Sequence, residues 1–272
     1  MAFEIIPAFQ NIFVVCLGLV IGSFLNVVIV RLPQGKSVVK PRSQCGGCHT
    51  IISWYDNVPV ISFLILGGKC RKCKAAISVR YPVIEIVTAF LFYGCFLRFG
   101  WDWLLVLRDW PFVSILVAIT FIDLEHRIIP DVLSLGGLVL GLTTAYFVPD
   151  LGLFSSFIGA AVGFGLFYGL AWAYYWKTGK HGLGGGDVKL LAMLGAFLGL
   201  DGVLWTILAS SVTGSFVGLI WGLAQKKKGS SEADGGLLGV AIPYGPFLVV
   251  GALSFYLLRE LISQWFPFMT PM

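Results

Sequence analysis

Four cysteines and a few carboxylates carry most of the chemistry available to this chain. The cysteines form two pairs, CGGC at 45–48 and CRKC at 70–73, with 21 residues between them. Each Cys-x-x-Cys turn offers two thiolates, and a loop that folds back would unite four, the donor set of a tetrahedral zinc site. Cys45, Cys48, Cys70 and Cys73 are the expected ligands, with Arg71, Lys72 and Lys74 nearby to favour thiolates. Four thiolates leave no open position for water, so such a zinc would be structural and would fold a loop too small to bury a core of its own. Two other readings of the cysteines exist. CGGCH at 45–49 also fits a haem-attachment signature, and either pair could cycle between dithiol and disulfide. Cys16 and Cys95 lie inside apolar runs and read as packing residues.

Three acids stand where apolar sequence is expected. Asp123 closes the run VAITFID at 117–123, Asp187 follows three glycines in GGGDVK at 184–189, and Glu85 sits in RYPVIEIVTAF at 80–90. Their surroundings set what they can do. The chain has 272 residues, 57% of them hydrophobic and 12% charged, with a mean hydropathy of +0.88. Soluble domains carry about 25% charged residues. Apolar runs of about 20 residues recur along the chain, each long enough to cross a bilayer as a helix. The expected architecture is all-α and polytopic, with about eight spans: 7–30, 82–99, 110–125, 131–148, 155–176, 187–200, 203–224 and 240–258. Residues 1–30 form the first span, 31–81 a polar insertion holding the cysteines, and 82–272 the helical core. Bilayer lipid is thus a partner, and the net charge of +5 reflects topology rather than nucleic-acid binding.

Charge sets the orientation. With the insertion in the cytoplasm, that side holds sixteen of the 19 Lys and Arg, and the other side holds Arg98, Arg108 and Arg259. Trp101, Trp103 and Trp110 surround the first outer loop, as an interfacial aromatic belt would. KKKGSSEADGG at 226–236 reads as a solvated loop.

In this topology the third span runs inward and the sixth runs outward. Asp123 and Asp187 then share one depth at the inner ends of different helices. Two facing carboxyls share a proton, and that is the apparatus of an aspartic protease. The ionised member takes a proton from water, and the neutral member donates a hydrogen bond to the scissile carbonyl. The competing reading makes Asp187 a helix N-cap and Asp123 an interfacial acid paired with His126 or Arg127. Gly184, Gly185 and Gly186 can adopt conformations closed to other residues and allow close approach of a backbone. In PYGP at 243–246, Pro243 and Pro246 are expected to break the last helix and leave carbonyls free for an extended substrate. Asp131 reads as a cap after Pro130. Glu85 follows Pro82 in a first helical turn, near Arg80, and a structural role suits it.

Six segments in order resemble the type IV prepilin peptidases, bifunctional leader peptidases and N-methyltransferases of bacterial pilus and type II secretion systems. They are GSFLNVVIVRLP (22–33), the paired Cys-x-x-Cys insertion, RYPVIE (80–85), FIDLEHRIIPD (121–131), GGGDVK (184–189) and IPYGPFL (242–248). The likeness covers nearly the whole chain. It implies catalytic roles for Asp123 and Asp187, with Gly184, Gly185, Gly186, Lys189, Pro243, Gly245 and Pro246 in supporting motifs. It also implies prepilin or pseudopilin substrates, cleavage after glycine at the cytoplasmic face of the inner membrane, and methylation of the new N-terminus from S-adenosylmethionine. The sequence offers no Gly-x-Gly-x-x-Gly site for that donor. Methyl transfer would have to use the insertion and nearby helix ends, with Asn26 and Glu85 as neighbours. Three alternatives use the same residues: a presenilin-type protease, a proton- or cation-coupled transporter, and a zinc module without catalysis.

Overall fold

The computed structural model describes residues 2–148, 151–180, 182–227 and 243–265. Eight α-helices organise them: α1 (Ala2–Arg31), the short α2 (Ile61–Ile65), α3 (Arg80–Phe99), α4 (Trp110–His126), α5 (Asp131–Ala145), α6 (Gly152–Thr178), α7 (Gly185–Lys227) and α8 (Gly245–Trp265). Six apolar segments among the described residues are long enough to cross a membrane, and α5 is a shorter apolar helix of 15 residues. There is no strand among the described residues, only two isolated bridges. The chain forms two compact units, Met1–Ile122 and Asp123–Met272, with the boundary inside α4.

In the first unit, α1 and α3 meet through small residues. A Cβ on Gly18 would lie 2.5 Å from Ala89 Cα, and one on Gly22 would lie 2.6 Å from Glu85 Cα. Lipid gives helices little hydrophobic reason to associate, so this backbone contact supplies the dispersion energy. Trp110 differs from the expectation. It is 4% exposed, stacks on Phe92 at 5.0 Å and donates its indole N–H to the Phe92 carbonyl at 3.3 Å. It is a core residue, whereas Trp101 and Trp103 are exposed. A satisfied indole N–H removes the reason for a tryptophan to seek the interface.

In the second unit, the expected spans 187–200 and 203–224 form one element with a sharp turn. A straight helix of 43 residues would run about 65 Å, far beyond the ~30 Å hydrocarbon core. Gly199, at φ 70°, breaks it. The second arm runs antiparallel to α8: Gly202 abuts Phe255, Gly251 abuts Thr206, and Gly214 lies beside Phe247 and Tyr244. Residues 188 and 190–198 of the first arm are buried nearly all round, as expected of a helix at the centre of a bundle. The last expected span starts later than position 240. α8 begins at Gly245, residues 240–242 lie outside the described residues, and so does most of the 226–236 loop.

The tightest helix contact is between α6 and the first arm of α7. A Cβ on Gly195 would collide with the Gly159 carbonyl, and one on Gly163 would lie 2.6 Å from the Leu191 carbonyl oxygen. Ser156 Oγ donates to the Ala196 carbonyl at 2.6 Å across the same seam. Gly195→Ala is therefore expected to cost about 1–3 kcal/mol or more by overpacking. Gly165→Ala, where an added Cβ meets nothing within 4 Å, should be neutral or slightly stabilising. Unfolding midpoints of the two variants in detergent check this. Equal midpoints would contradict the close packing.

Candidate functional site

Asp123 lies in the last turn of α4 and is 6% exposed. Its Oδ2 accepts the backbone N–H of Gly245 at 3.0 Å. Gly245 is the first residue of α8, where a helix leaves its N–H groups without internal partners. The N-terminal end of the helix dipole thus points a free donor at the carboxylate. A Cβ there would lie 2.6 Å from Asp123 Oδ2, so any other residue must displace that carboxylate. Pro246 sits in the first turn of α8, where its missing N–H costs nothing. Pro246 therefore starts this helix rather than breaking it. The motif presents an N–H to an acid, where free carbonyls were expected. Pro243 lies two residues ahead of the helix.

Asp187 lies in the first turn of α7, the third residue of the helix that starts at Gly185. The cap position is Gly184, whose carbonyl accepts the Asp187 N–H at 3.1 Å. Asp187 is thus not the N-cap. Its Oδ2 lies 3.0 Å from where a Gly184 Cβ would be. It stands within electrostatic range of Asp123. Ile129 joins the two acids' neighbourhoods: it would be 2.9 Å from a Cβ on Gly186 and 3.4 Å from one on Gly245. Hydropathy alone gives no signal for Ile129 in this role.

The glycines differ from their expected use. None of Gly184, Gly185 and Gly186 takes a left-handed φ, so conformational freedom is not what they supply. Gly184 and Gly186 supply space, and Gly185 faces open space. Lys189 reaches across to Asp131, Nζ to Oδ1 at 2.7 Å. Both groups are substantially exposed, so the pair is worth at most ~1 kcal/mol. Asp131 is the first residue of α5, with Pro130 in the cap position.

The four cysteines converge. The Sγ atoms of Cys45, Cys48, Cys70 and Cys73 all lie within 4.8 Å of one another, and Cys45 and Cys73 are 3.7 Å apart. A tetrahedron with Zn–S bonds of about 2.3 Å has edges of about 3.8 Å, so the donor set fits zinc. The two knuckles repeat one backbone turn. Cys45 N–H bonds to the Thr50 carbonyl and His49 N–H to the Cys45 carbonyl. Likewise Cys70 N–H bonds to the Ala75 carbonyl and Lys74 N–H to the Cys70 carbonyl. His49 and Lys74 occupy equivalent left-handed positions, at φ 53° and 60°. Hydrogen bonds from the Thr50 hydroxyl and backbone hold the Cys48 thiol down at about 6. Backbone hydrogen bonds from Cys73 and Lys72 lower Cys70 as well. Hydrogen bonds thus favour the thiolate, the form that binds metal, at Cys48 and Cys70, whereas desolvation and the neighbouring cysteines raise Cys73 to about 11. Arg71 ties the second knuckle to Asp56 through a two-pronged ion pair with a shortest contact of 2.6 Å.

Asn26 and Glu85 are both buried, at 1% and 6% exposure. They line one cavity of about 550 Å³ in the first unit, with the inner faces of both knuckles among its walls. Glu85 Oε2 accepts the Val60 N–H at 2.8 Å, which anchors the insertion to α3. Val60 stands at φ 59° in a tight turn closed by the Ile61 N–H on the Pro59 carbonyl at 2.5 Å. A β-branched residue at positive φ is strained and marks a position held by its surroundings.

Two family models match the chain. Residues 16–99 match the bacterial peptidase A24 N-terminal domain, and residues 110–219 match the type IV leader peptidase family. A prepilin leader peptidase/N-methyltransferase of Myxococcus xanthus is 41% identical over 218 residues, 80% of this chain and 65% of that protein. One of Pseudomonas aeruginosa is 38% identical over 268 residues, covering 88% of each. One of Aeromonas salmonicida is 37% identical over 281 residues, covering 92% of this chain and 91% of the relative. No solved structure matches the chain.

Proposed function

The chain belongs to the type IV leader peptidase family, and from that premise we propose that it is a membrane-embedded aspartic endopeptidase acting on prepilins or pseudopilins. Cleavage follows a glycine at the cytoplasmic face of the bacterial inner membrane, and the new N-terminus is then methylated from S-adenosylmethionine. The observation that supports the peptidase reading is that Asp123 and Asp187 share one neighbourhood around Ile129 in the second unit, with an α8 N–H on Asp123. Family membership and this placement speak against a transporter.

Asp123 and Asp187 work as a unit. One carboxylate takes a proton from the attacking water, and the other carboxyl donates a hydrogen bond to the scissile carbonyl. Gly245 N–H orients the Asp123 carboxylate by a hydrogen bond to Oδ2, leaving the rest of that group for water or substrate. Gly184 leaves room beside the Asp187 carboxylate, and Gly186 leaves room for the Ile129 side chain. Zinc in the four-cysteine site would hold the insertion folded and supply no water for hydrolysis.

The test is cleavage by purified full-length protein of a prepilin whose leader ends in glycine. Wild-type protein should cut at that glycine, and an inert wild type would overturn the reading. Glu125→Ala and Asp131→Ala should cut within about twofold of wild type, because neither residue belongs to the pair. Gly245→Ala should cut at least tenfold more slowly, since its Cβ displaces the Asp123 carboxylate, a misplacement known to cost on the order of a hundredfold. Wild-type rates in Gly245→Ala would remove the α8 N–H from the mechanism.

A further inference from the structure

The cysteine insertion carries an apolar face that neither the knuckles nor the cavity uses. In α2, Ile61, Leu64 and Ile65 stand at i, i+3 and i+4, on one side of the helix. They are between 55 and 74% exposed. The other side is occupied. Ser62 is buried, and Phe63 covers Gly68, where a Cβ would meet its ring at 3.2 Å. Ser62 Oγ accepts the Val58 N–H at 3.0 Å and donates to the Tyr55 carbonyl at 2.9 Å, which holds the 54–56 turn beside α2. Trp54 opens that turn and is exposed as well. A patch of large apolar side chains bared on so small a loop marks an interaction surface.

The position of α2 points to what covers it. The Val60 N–H just ahead of α2 reaches Glu85, the sixth residue of α3. Glu85 lies about 7.5 Å along the α3 axis from Arg80. Asn26 holds this end of α3 to α1: its Nδ2 donates to the Gly22 and Tyr81 carbonyls, both at 3.2 Å, and its Oδ1 is left buried without a partner. α3 is long and apolar enough to cross a membrane, and its residues Ile86 and Phe90 are exposed, as lipid contact requires. The insertion is thus drawn in beside the first turns of a span rather than held out in solvent. Interfacial helices bury their apolar face about 5–10 Å into the boundary between headgroups and acyl chains. Charge agrees with this placement. Residues 31–80 hold nine Lys and Arg and one acid, Asp56, which Arg71 engages. Such a surplus beside a membrane attracts anionic headgroups.

We propose that α2 lies in the headgroup–acyl boundary of the adjacent leaflet, with Ile61, Leu64 and Ile65 among the lipid tails, Trp54 at headgroup level and the neighbouring basic residues against anionic headgroups. The partner is the lipid surface itself. Five residues could not hold themselves on a bilayer, but α1 and α3 deliver them to it, so binding is intramolecular. The insertion is then a third membrane contact of the first unit's cytoplasmic side, beside the ends of α1 and α3. The strained left-handed turn at Val60 serves this placement, since it brings the N–H to Glu85 where α2 begins. The inference depends on neither the peptidase nor the methyltransferase reading.

The test is photo-crosslinking of zinc-loaded full-length protein reconstituted in vesicles of phosphatidylethanolamine and phosphatidylglycerol. A benzophenone amino acid replaces Leu64 or Ile65, and the same group at Phe90, midway along α3, is the lipid-facing reference. Mass analysis after illumination gives the fraction of chains joined to phospholipid. Positions 64 and 65 should each reach at least about a third of the yield at position 90. Should one labelled protein fail to fold, the other position decides. Ile61→Glu combined with Ile65→Glu should cut the lipid yield at position 64 at least about fivefold, with zinc content as in the wild type, because carboxylates stay out of the acyl region. Lower yields at positions 64 and 65 would overturn the proposal, and a product joined to a second chain or to another protein would give the face to that partner instead. A yield at position 64 that the two glutamates leave unchanged would also overturn it, since the face would then meet lipid without being held there.

Discussion

Asp187→Asn is expected to lower prepilin cleavage by about a thousandfold or more, with folding and zinc content unchanged. The substitution keeps shape and volume and removes only the ability to ionise. General acid–base participation is worth ~10²–10⁴ in rate, and members of a unit that act together lose nearly everything when one is removed. Asp123→Asn should be as damaging, although its side-chain oxygen can still accept the Gly245 N–H that Asp123 accepts at 3.0 Å. That retained bond makes the variant a clean test. It separates a carboxylate that merely caps α8 from one that does chemistry. If Asp123→Asn cleaves at the wild-type rate, the acid is a structural acceptor and the pair is not the catalyst. If Asp187→Asn does so, Asp187 is only a favourable charge in the first turn of α7. The assay is the rate of leader release from a purified prepilin, read on a gel or by mass.

The second large effect concerns the metal. Removing zinc, or replacing Cys45 or Cys70 by serine, should drop bound zinc from one per chain to near zero and open the insertion to proteolysis between residues 36 and 78. Structural zinc sites contribute on the order of 10–16 kcal/mol to the folding of small domains, and little else holds this insertion. Each knuckle is closed by one isolated bridge, and all four cysteines are at least partly exposed. The Arg71–Asp56 pair is a surface contact and is screened by solvent. Metal analysis beside limited proteolysis decides the matter. Protein purified without chelator that holds no zinc, yet keeps a protease-resistant insertion, would rule out the zinc assignment.

Much of this molecule is local in origin, and local patterns were readable. Hydropathy gave the helices, because an apolar run of bilayer length has few alternatives in lipid. Cysteine spacing gave the metal set, because each Cys-x-x-Cys is one tight turn. The common depth of Asp123 and Asp187 followed from span order and loop charge. The remainder depends on how helices rotate and pack against each other. Trp110 looked like an interfacial residue and is a core residue because Phe92 offers its carbonyl. The glycines before Asp187 suggested both unusual conformations and close approach; only the space is used, because Ile129 lies against Gly186. PYGP looked like a source of free carbonyls and instead presents the N–H of Gly245 to Asp123. The expected spans were divided between 200 and 203, and the structure puts the break at Gly199, with the second arm packed against α8.

The physical reason is the same in each case. In a membrane-spanning helix nearly every face is apolar, so periodicity does not say which side meets a neighbour and which meets lipid. Sequence by itself determined the class of fold and the four-cysteine set, and it pointed to the two acids. Tertiary structure alone decided that an α8 N–H meets Asp123, that Asn26 keeps an unpaired acceptor, and that Glu85 anchors the zinc insertion. Those choices rest on contacts of a few ångströms between residues as far as 122 positions apart, which no local pattern encodes.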